Sequence, residues 1–508
     1  MLNVLLDNVT ARFPDKVALI IEQTTYTYAE LCQLTRSLAA SFLQRGIGPG
    51  DRVAFLLPNS FEIVLCYYAC FKIGAIAVPL NIRFQAELLQ YALTHSGTRL
   101  LISEPELFGK IEKVRPSLPG VEQYYLTSRS AEFDGVRPFD ELLELTFDPG
   151  ALPLIEEHNA AAIYYTSGTT GLPKAVIHSH ASLTRATQLQ IDQIAIGPDD
   201  RTLIMFPICY LIGFGSQILP FHNSGAVCIL MPRFEPRLAL EAIQTYQPTK
   251  TYGFPKLYND LLNCPEAGQY SVRSLSFCFS AGEAIPVAVQ ERFNRMFGLE
   301  ITEGCGMTEL QIYSMNPPYG KKTIGSIGRP ITGMEVSLID DSGRPISKAG
   351  EIGEMIVRGG SMTAGYWQDP ELTAKNIQTG WFHTGDLAYQ DEEGIYWFVS
   401  RKSEIIHHQA GLISPIDIEG VLYQHPAVRE AGVVGVPDRS GREVPQGYVV
   451  LKEGSAPVTE QQLMEFVRRH LPDFKVPHRI AFCETLTYGS TGKIDRRRLK
   501  ELGVGGSG

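Results

Sequence analysis

The sequence predicts an α/β protein with a large N-terminal domain of two parallel-type α/β sheets, a small β-rich unit, and a small α+β C-terminal domain. Three observations predict it. From residue 17 to about 300, short β-rich runs alternate with amphipathic stretches, the rhythm of strand–helix–strand units whose helices cover parallel sheets. From about Gly325, Gly, Pro and charged turns separate short alternating strands. From about Glu404, helix and strand signals resume at the scale of a separate compact unit. The expected boundaries are 1–402, with the β-rich part at about 325–402, and 404–504; residues 505–508, Gly-Gly-Ser-Gly, read as a flexible tail.

In chain order, Val17–Ile21 reads as a strand, Tyr28–Arg45 as an amphipathic helix and Arg52–Leu57 as a strand ending at Pro58. Phe61–Leu80 is twenty largely apolar residues, but Glu62, Lys72, Gly74 and Pro79 interrupt it. A buried helix followed by the strand Ala75–Val78 fits better than a membrane span. Helix Ala86–His95 and strand Arg99–Ser103 continue the pattern. Thr202–Phe206, Ala226–Met231, Lys250–Gly253 and Leu275–Ser280 are the next strand candidates, and Glu300–Thr302 is a short one. The β-rich unit offers Glu335–Asp340, Gly353–Arg358, Leu387–Gln390 and Ile395–Ser400. The last unit offers helices Asp417–His425 and Thr459–His470 and strands Glu430–Val434 and Gln446–Leu451.

Lys plus Arg is 45 against 55 Asp plus Glu, a net charge of −10, which argues against a nucleic-acid partner. The nine cysteines include no C-x-x-C pair and Met1–Leu6 opens no signal peptide, so reduced thiols in a cytoplasm are expected. His407-His408 and His178-x-His180 lack partners at zinc spacing.

The chemistry concentrates at residues 164–175, Tyr-Tyr-Thr-Ser-Gly-Thr-Thr-Gly-Leu-Pro-Lys-Ala. A buried strand end is followed by Thr166, Ser167, Gly168, Thr169, Thr170 and Gly171, with Lys174 closing the run. Glycines let backbone N–H groups converge, hydroxyls add donors, and lysine adds a mobile charge, which together suit nucleotide phosphates. A Walker A loop is excluded, because Lys174 follows Pro173 and Ala175 stands where the magnesium-binding hydroxyl should be. Ser280-Ala-Gly-Glu-Ala284 leaves a strand through small residues, where backbone can approach a flat ligand. Glu303-Gly-Cys-Gly-Met-Thr-Glu309 sets Thr308 beside the carboxylate of Glu309, a candidate for Mg²⁺, which takes oxygen ligands and few protein groups. Gly380-Trp-Phe-His-Thr-Gly-Asp386 reads as an aromatic turn closed by a carboxylate, and Arg401 follows a later strand. Gly492-Lys-Ile-Asp-Arg-Arg-Arg498 reads as a solvated basic run preceded by a flexible platform for Lys493.

Together these motifs, in this order and over nearly the whole chain, resemble the adenylate-forming superfamily of acyl-CoA synthetases, luciferases and peptide-synthetase adenylation domains. The resemblance implies ATP-dependent activation of a carboxylic acid to an acyl-adenylate with release of pyrophosphate, then transfer to a thiol. It implies ATP, Mg²⁺ and CoA, or the phosphopantetheine of a carrier protein, as co-reactants. Thr166–Lys174 resembles the phosphate loop, and Gly282, Glu283 and Ala284 the residues flanking adenine. Glu303, Gly304, Cys305, Gly306, Met307, Thr308 and Glu309 resemble the G-Y-G-M-T-E motif, with Thr308 and Glu309 in catalysis and Glu309 on the metal. Asp386 and Arg401 match the ribose-binding pair, and Lys493 the catalytic lysine that bridges carboxylate and α-phosphate. The resemblance further implies that the small domain is mobile and pivots at Ser403, and that Tyr210, Gly213, Ser280, Gly306 and Met307 line the acyl pocket and its gate.

The chain departs from the family pattern at four places. Tyr210 replaces the histidine of P-x-x-H, Cys305 the motif tyrosine, Ser403 the usual Asp or Lys pivot, and Gln409-Ala410 the glycine pair of the thiol tunnel. Leu211-Ile212-Gly213-Phe214 carries no carboxylate for an amino-acid ammonium, so an aromatic or aliphatic acid is the expected substrate. The rival acceptors are a carrier protein or an amine. A catalytically idle nucleotide-binding module is disfavoured because Lys493 and Glu309 are both present. Homodimerisation is compatible with the sequence but not implied by it.

Overall fold

Apolar runs of four or five residues are too short for helices and become the inner strands of two large sheets. The computed structural model describes residues 1–128, 133–145, 152–166, 172–438, 440–489 and 493–505. Among the described residues, one sheet has nine strands in the order Arg329–Pro330, Gln311–Met315, Ile301–Met307, Phe277–Ser280, Lys250–Gly253, Arg201–Ile204, Val227–Leu230, Val17–Ile21 and Thr24–Thr27. The other has eight: Gly365–Tyr366, Lys174–Ser179, Ala160–Thr166, Ile76–Pro79, Arg52–Leu56, Leu100–Ser103, Gln123–Leu126 and Arg137–Pro138. The interior pairs of both are parallel and the ends nearer the site turn antiparallel.

The main core lies between these sheets, joining Phe55, Ala77 and Ala162 of one to Ile204, Cys228 and Phe277 of the other. Helix Phe61–Ile73 runs through it, capped by the Ser60 hydroxyl and stopped at left-handed Gly74, and is buried all round from Ile63 onward. Its one interior cation, Lys72, is 2 % exposed and lies 2.5 Å from Asp7, so the charge is paired rather than stranded. None of the helices among the described residues is long and apolar enough to cross a membrane. All nine cysteines are free.

A five-stranded antiparallel sheet follows, built from Met334–Ile339, Gly353–Gly359, Ile377–Gln378, Trp381–Gln390 and Tyr396–Arg401. The C-terminal unit holds the hairpin Ile406–His408/Gly411–Ile413 and a sheet of Val428–Pro437, Glu443–Leu451 and Arg479–Phe482. Helices Pro415–Gln424 and Glu460–Arg468 pack into its core through Ile418, Leu422, Leu463 and Val467. The unit rests on the nine-stranded sheet's helices. Asn259 Nδ2 donates to the Arg429 carbonyl at 3.1 Å, and Tyr423 packs against the outer core of that sheet.

Four local expectations change. Residues 303–307 belong to the strand Ile301–Met307, which hairpins back on Gln311–Met315. Their glycines serve close packing: a Cβ on Gly304 or Gly306 would stand 2.7 Å from the Ser314 or Gln311 carbonyl oxygen. Residues 381–386 likewise form the first half of the strand Trp381–Gln390, not a turn. The basic ending is not wholly solvated. Half-buried Arg496 forks onto Glu419, donates to the Val433 carbonyl at 2.8 Å, and lies 3.1 Å from Glu404. The last helix, Arg496–Gly505, takes in the first residue of the expected tail; 506–508 lie outside the described residues.

Candidate active site

Strands Ala160–Thr166 and Lys174–Ser179 pair antiparallel with Thr166 opposite Lys174, so the predicted phosphate loop is the connection of a β-hairpin. Ser167, Gly168, Thr169, Thr170 and Gly171 lie outside the described residues. Half-buried Lys174 holds its ammonium 5.7 Å from the ring centre of Tyr366, on the neighbouring edge strand.

Tyr366 connects that lysine to Glu309. Its hydroxyl donates to Glu309 Oε1 at 2.8 Å, and the Thr363 N–H donates to the Glu309 carbonyl at 2.6 Å. Glu309 is only 7 % exposed, and its other carboxylate oxygen has no partner among the described residues. Thr308 is held from behind by His178, whose Nε2 donates to the Thr308 carbonyl at 2.7 Å. Burial brings the His178 imidazole down to about 4, so the ring is neutral and the second nitrogen, 3.0 Å from the Ser182 hydroxyl, is an acceptor. No cluster of three or more metal-ligating side chains occurs among the described residues. A single carboxylate with one oxygen to spare suits Mg²⁺, which keeps waters and substrate phosphates as its remaining ligands.

Asp386 and Arg401 face each other across antiparallel strands, in register. Arg401 Nε lies 2.7 Å from Asp386 Oδ1, yet the angle leaves that oxygen without a hydrogen bond, and Asp386 is 3 % exposed. Burial raises the Asp386 carboxyl above its ordinary range, with Arg401 and Lys493 pulling against it. That oxygen is compensated by the Arg401 charge but not hydrogen-bonded, and a buried carboxylate in this state gains from further donors, such as sugar hydroxyls.

Ser280 ends the strand Phe277–Ser280, and Gly282, Glu283 and Ala284 follow it. Ser280 is fully buried with its hydroxyl unpartnered, while Gly282, Glu283 and Ala284 are half-buried. The loop is anchored by Glu303, whose two oxygens accept from the Ile285 N–H at 3.1 Å and from Gln290 Nε2 at 3.0 Å. Both oxygens of Glu303 therefore serve the protein, which makes it a strut for the loop. Gly282 sits at φ +94°, and a Cβ there would stand 2.9 Å from Phe254 and 3.2 Å from Lys493 Cε. Lys493 thus lies against the backbone of this loop although it belongs to the C-terminal unit. Burial lowers its amine below the ordinary lysine range, opposed by the charges of Glu283 and Asp386; Arg401 and Cys305 are also near enough to act on it.

At the other predicted wall, the Tyr210 hydroxyl accepts from Asn81 Nδ2 at 3.0 Å, and burial pushes its phenol far above the usual range. Gly213 packs against the backbone, a Cβ there falling 2.8 Å from Ile208 Cα. Met307 is half-buried against the core, and Cys305 Sγ lies 3.0 Å from the Tyr313 hydroxyl. Ser403 is exposed in the turn after Arg401, where the Glu404 and Ile405 N–H groups both donate to the Arg401 carbonyl. Gln409-Ala410 forms the exposed tip of the hairpin 406–413, with Arg442 donating to Gln409 Oε1 at 3.0 Å.

Lys493, Glu283, Asp386, Arg401, Cys305 and Glu309 therefore converge from four separate stretches of chain. A profile of the AMP-binding enzyme family matches residues 6–367, and one of the AMP-binding enzyme C-terminal domain matches residues 417–493. The chain belongs to the AMP-binding enzyme family. Among its relatives, a long-chain-fatty-acid–CoA ligase of Bacillus subtilis (strain 168) is 32 % identical, covering 98 % of this chain and 93 % of the relative. A feruloyl-CoA synthase of an Amycolatopsis species is also 32 % identical over 93 % and 92 %. The crystal structure of the anthranilate CoA ligase AuaEII in complex with anthranoyl-AMP superposes with a TM-score of 0.93 at 28 % identity, covering 99 % and 96 %.

Tyr366, His178, Asn81 and Gln290 escaped sequence reasoning as parts of the site. Each acts on a residue 13 to 130 positions away. His178 had a signal, being a polar residue in an apolar strand, but that signal suggests a metal as readily as a strut.

Proposed function

We propose that this enzyme is an AMP-forming acid–thiol ligase acting on an aromatic or aliphatic carboxylic acid. One observation carries the reading: Lys493, from the end of the chain, lies on the Gly282 backbone within charge range of the buried Asp386–Arg401 pair.

In the first half-reaction the substrate carboxylate attacks the α-phosphorus of ATP, a P–O bond to the β-phosphate breaks, and pyrophosphate leaves. Two anions must meet in line, so positioned cations lower the barrier. Lys493 supplies one between carboxylate and α-phosphate. The Asp386 carboxylate takes the ribose hydroxyls while Arg401, paired with its Oδ1, fixes the carboxylate's orientation. The 166–174 segment cradles the outer phosphates, with Lys174 steered by Tyr366. Glu309 would hold Mg²⁺, which supplies charge neutralisation at the phosphate oxygens. In the second half-reaction a thiol sulfur attacks the acyl carbonyl, the C–O bond to AMP breaks, and the thiol proton is released.

The apolar side chains Leu211 and Phe214, beside Tyr210 and without a carboxylate, support an uncharged acyl tail, as do the fatty-acid, feruloyl and anthranilate substrates named for the relatives. CoA is the proposed acceptor. Side chains at Gln409-Ala410, in place of the family's glycine pair, support a carrier-protein pantetheine or an amine as the rival acceptor. Ser403 is the proposed pivot, being small and exposed in a turn. A panel of aryl and alkyl acids scored for pyrophosphate release, with and without CoA, tests the reading. Acid-dependent pyrophosphate and CoA-dependent AMP are expected, and phosphate in place of pyrophosphate refutes it.

A further inference from the structure

The loop that leaves Ser280 carries a single charged side chain, Glu283, whose carboxylate reaches across to the C-terminal unit. Its Oε1 accepts the N–H of Ile494, the residue immediately after Lys493, at 3.1 Å. Beside it, Gly282 provides the bare backbone on which the Lys493 methylenes lie. The lysine's own segment is closed from below. Gly489 N–H donates to the Lys493 carbonyl at 2.8 Å, and Tyr488 and Ile494 pair across an isolated bridge. Tyr488 donates to Glu430 at 2.7 Å while Lys256, from the large domain, stands 5.2 Å from its ring centre. Lys256 is itself held by Asp260 at 2.9 Å and lies 3.8 Å from Glu430. The groups facing Glu283 are the cations Lys493 and Arg496, the carboxylate of Glu419 and the phenols of Tyr423 and Tyr488.

We propose that Glu283 is the positioning residue for Lys493, holding the lysine-bearing segment against the large domain during adenylate formation and releasing it when the small domain leaves. The hydrogen bond fixes the peptide next to Lys493, and the negative charge beside the ammonium keeps the side chain within the site. Charge-assisted bonds to backbone N–H groups are the stronger kind, and this one exists only while the two units are together. Burial pushes the carboxyl up to about 7, and the charges of Lys493 and Arg496 that face it pull it toward the ionised form. The inference rests on the adenylating role proposed above for Lys493.

The test uses the full chain and two variants, Glu283→Ala and Glu283→Gln, the second keeping an acceptor oxygen for the Ile494 N–H. Without any substrate, hydrogen exchange of the Ile494 amide is expected to quicken about tenfold in the alanine variant and by less than about threefold in the glutamine variant. With benzoate and octanoate as acid probes, acid-dependent pyrophosphate exchange is expected to fall at least about tenfold more than CoA-dependent consumption of the supplied acyl-adenylate. Equal losses in both half-reactions, or exchange as fast in the glutamine variant as in alanine, overturn the proposal. If the wild type activates neither acid, the adenylation reading fails for those acids, and the exchange result alone decides whether Glu283 holds the segment.

Discussion

Glu303 makes the most quantitative prediction, because its environment is so simple. The carboxylate is 3 % exposed, accepts two neutral hydrogen bonds and has no cation partner, so burial pushes it up to about 8 from an ordinary value of 4.5. Below about pH 4.5 the group is protonated in the folded and unfolded chain alike. Between that pH and about 8 the unfolded chain gives up the proton and the folded chain keeps it, so stability falls as pH rises. At about 1.4 kcal/mol per pH unit the full loss is about 5 kcal/mol, complete above about pH 8. Glu303→Gln removes the titration and keeps a neutral amide that Gln290 can meet by turning its own. The assay is the thermal midpoint of wild type and variant from pH 5 to 9. The wild type is expected to lose several degrees more than the variant across that range, since about 1 kcal/mol moves the midpoint of a large domain by one to two degrees. The anchored loop flanks the proposed adenine site, so the KM for ATP should rise with pH in the wild type and less in the variant. Parallel stability profiles would show that Glu303 is ionised throughout, and the argument from its burial would fail.

Three further outcomes follow from the site. Lys493→Ala should slow acid-dependent pyrophosphate exchange at least about a hundredfold, the effect of losing one well-placed transition-state donor, while calorimetric ATP affinity changes less than about threefold; exchange near the wild-type rate removes the lysine from the mechanism. Asp386→Asn should raise the KM for ATP about tenfold to a hundredfold and leave the KM for the acid nearly unchanged, because a hydrogen-bonded charge is worth about 1.5 to 3 kcal/mol; equal effects on both substrates would contradict a ribose role. Tyr366→Phe removes the hydroxyl that orients Glu309 and should raise the Mg²⁺ concentration for half-maximal activity about tenfold, as loss of an outer-shell partner does; an unchanged Mg²⁺ titration would place the metal elsewhere.

Much of the fold was legible because it is written locally. Val17–Ile21 and Lys250–Gly253 are strands with the bounds read from the sequence, and helix Phe61–Ile73 begins at its Ser60 cap. What misled was glycine. Gly304, Gly306 and Gly385 look like turn residues, yet they lie in strands, the first two where neighbouring backbone leaves no room for a Cβ. Composition records that a residue lacks a side chain, but not whether the reason is a turn or a close approach. The basic run at 496–498 misled for a related reason: whether an arginine is solvated depends on a carboxylate 77 residues away.

The order of motifs along the chain determined the chemistry that this enzyme is built for, since a Gly/Thr-rich run closed by a lysine, a Thr-Glu pair, an Asp, an Arg and a late lysine are residue types and spacings that need no coordinates to read. Tertiary structure decided which of them touch and what holds them: Tyr366 on Glu309, His178 behind Thr308, Glu303 under the loop 281–285, and Glu283 against the lysine segment. Those partners come from strands and loops that are remote in sequence, and a hydrogen bond selects for distance and angle in space, leaving no periodicity in the chain to betray it.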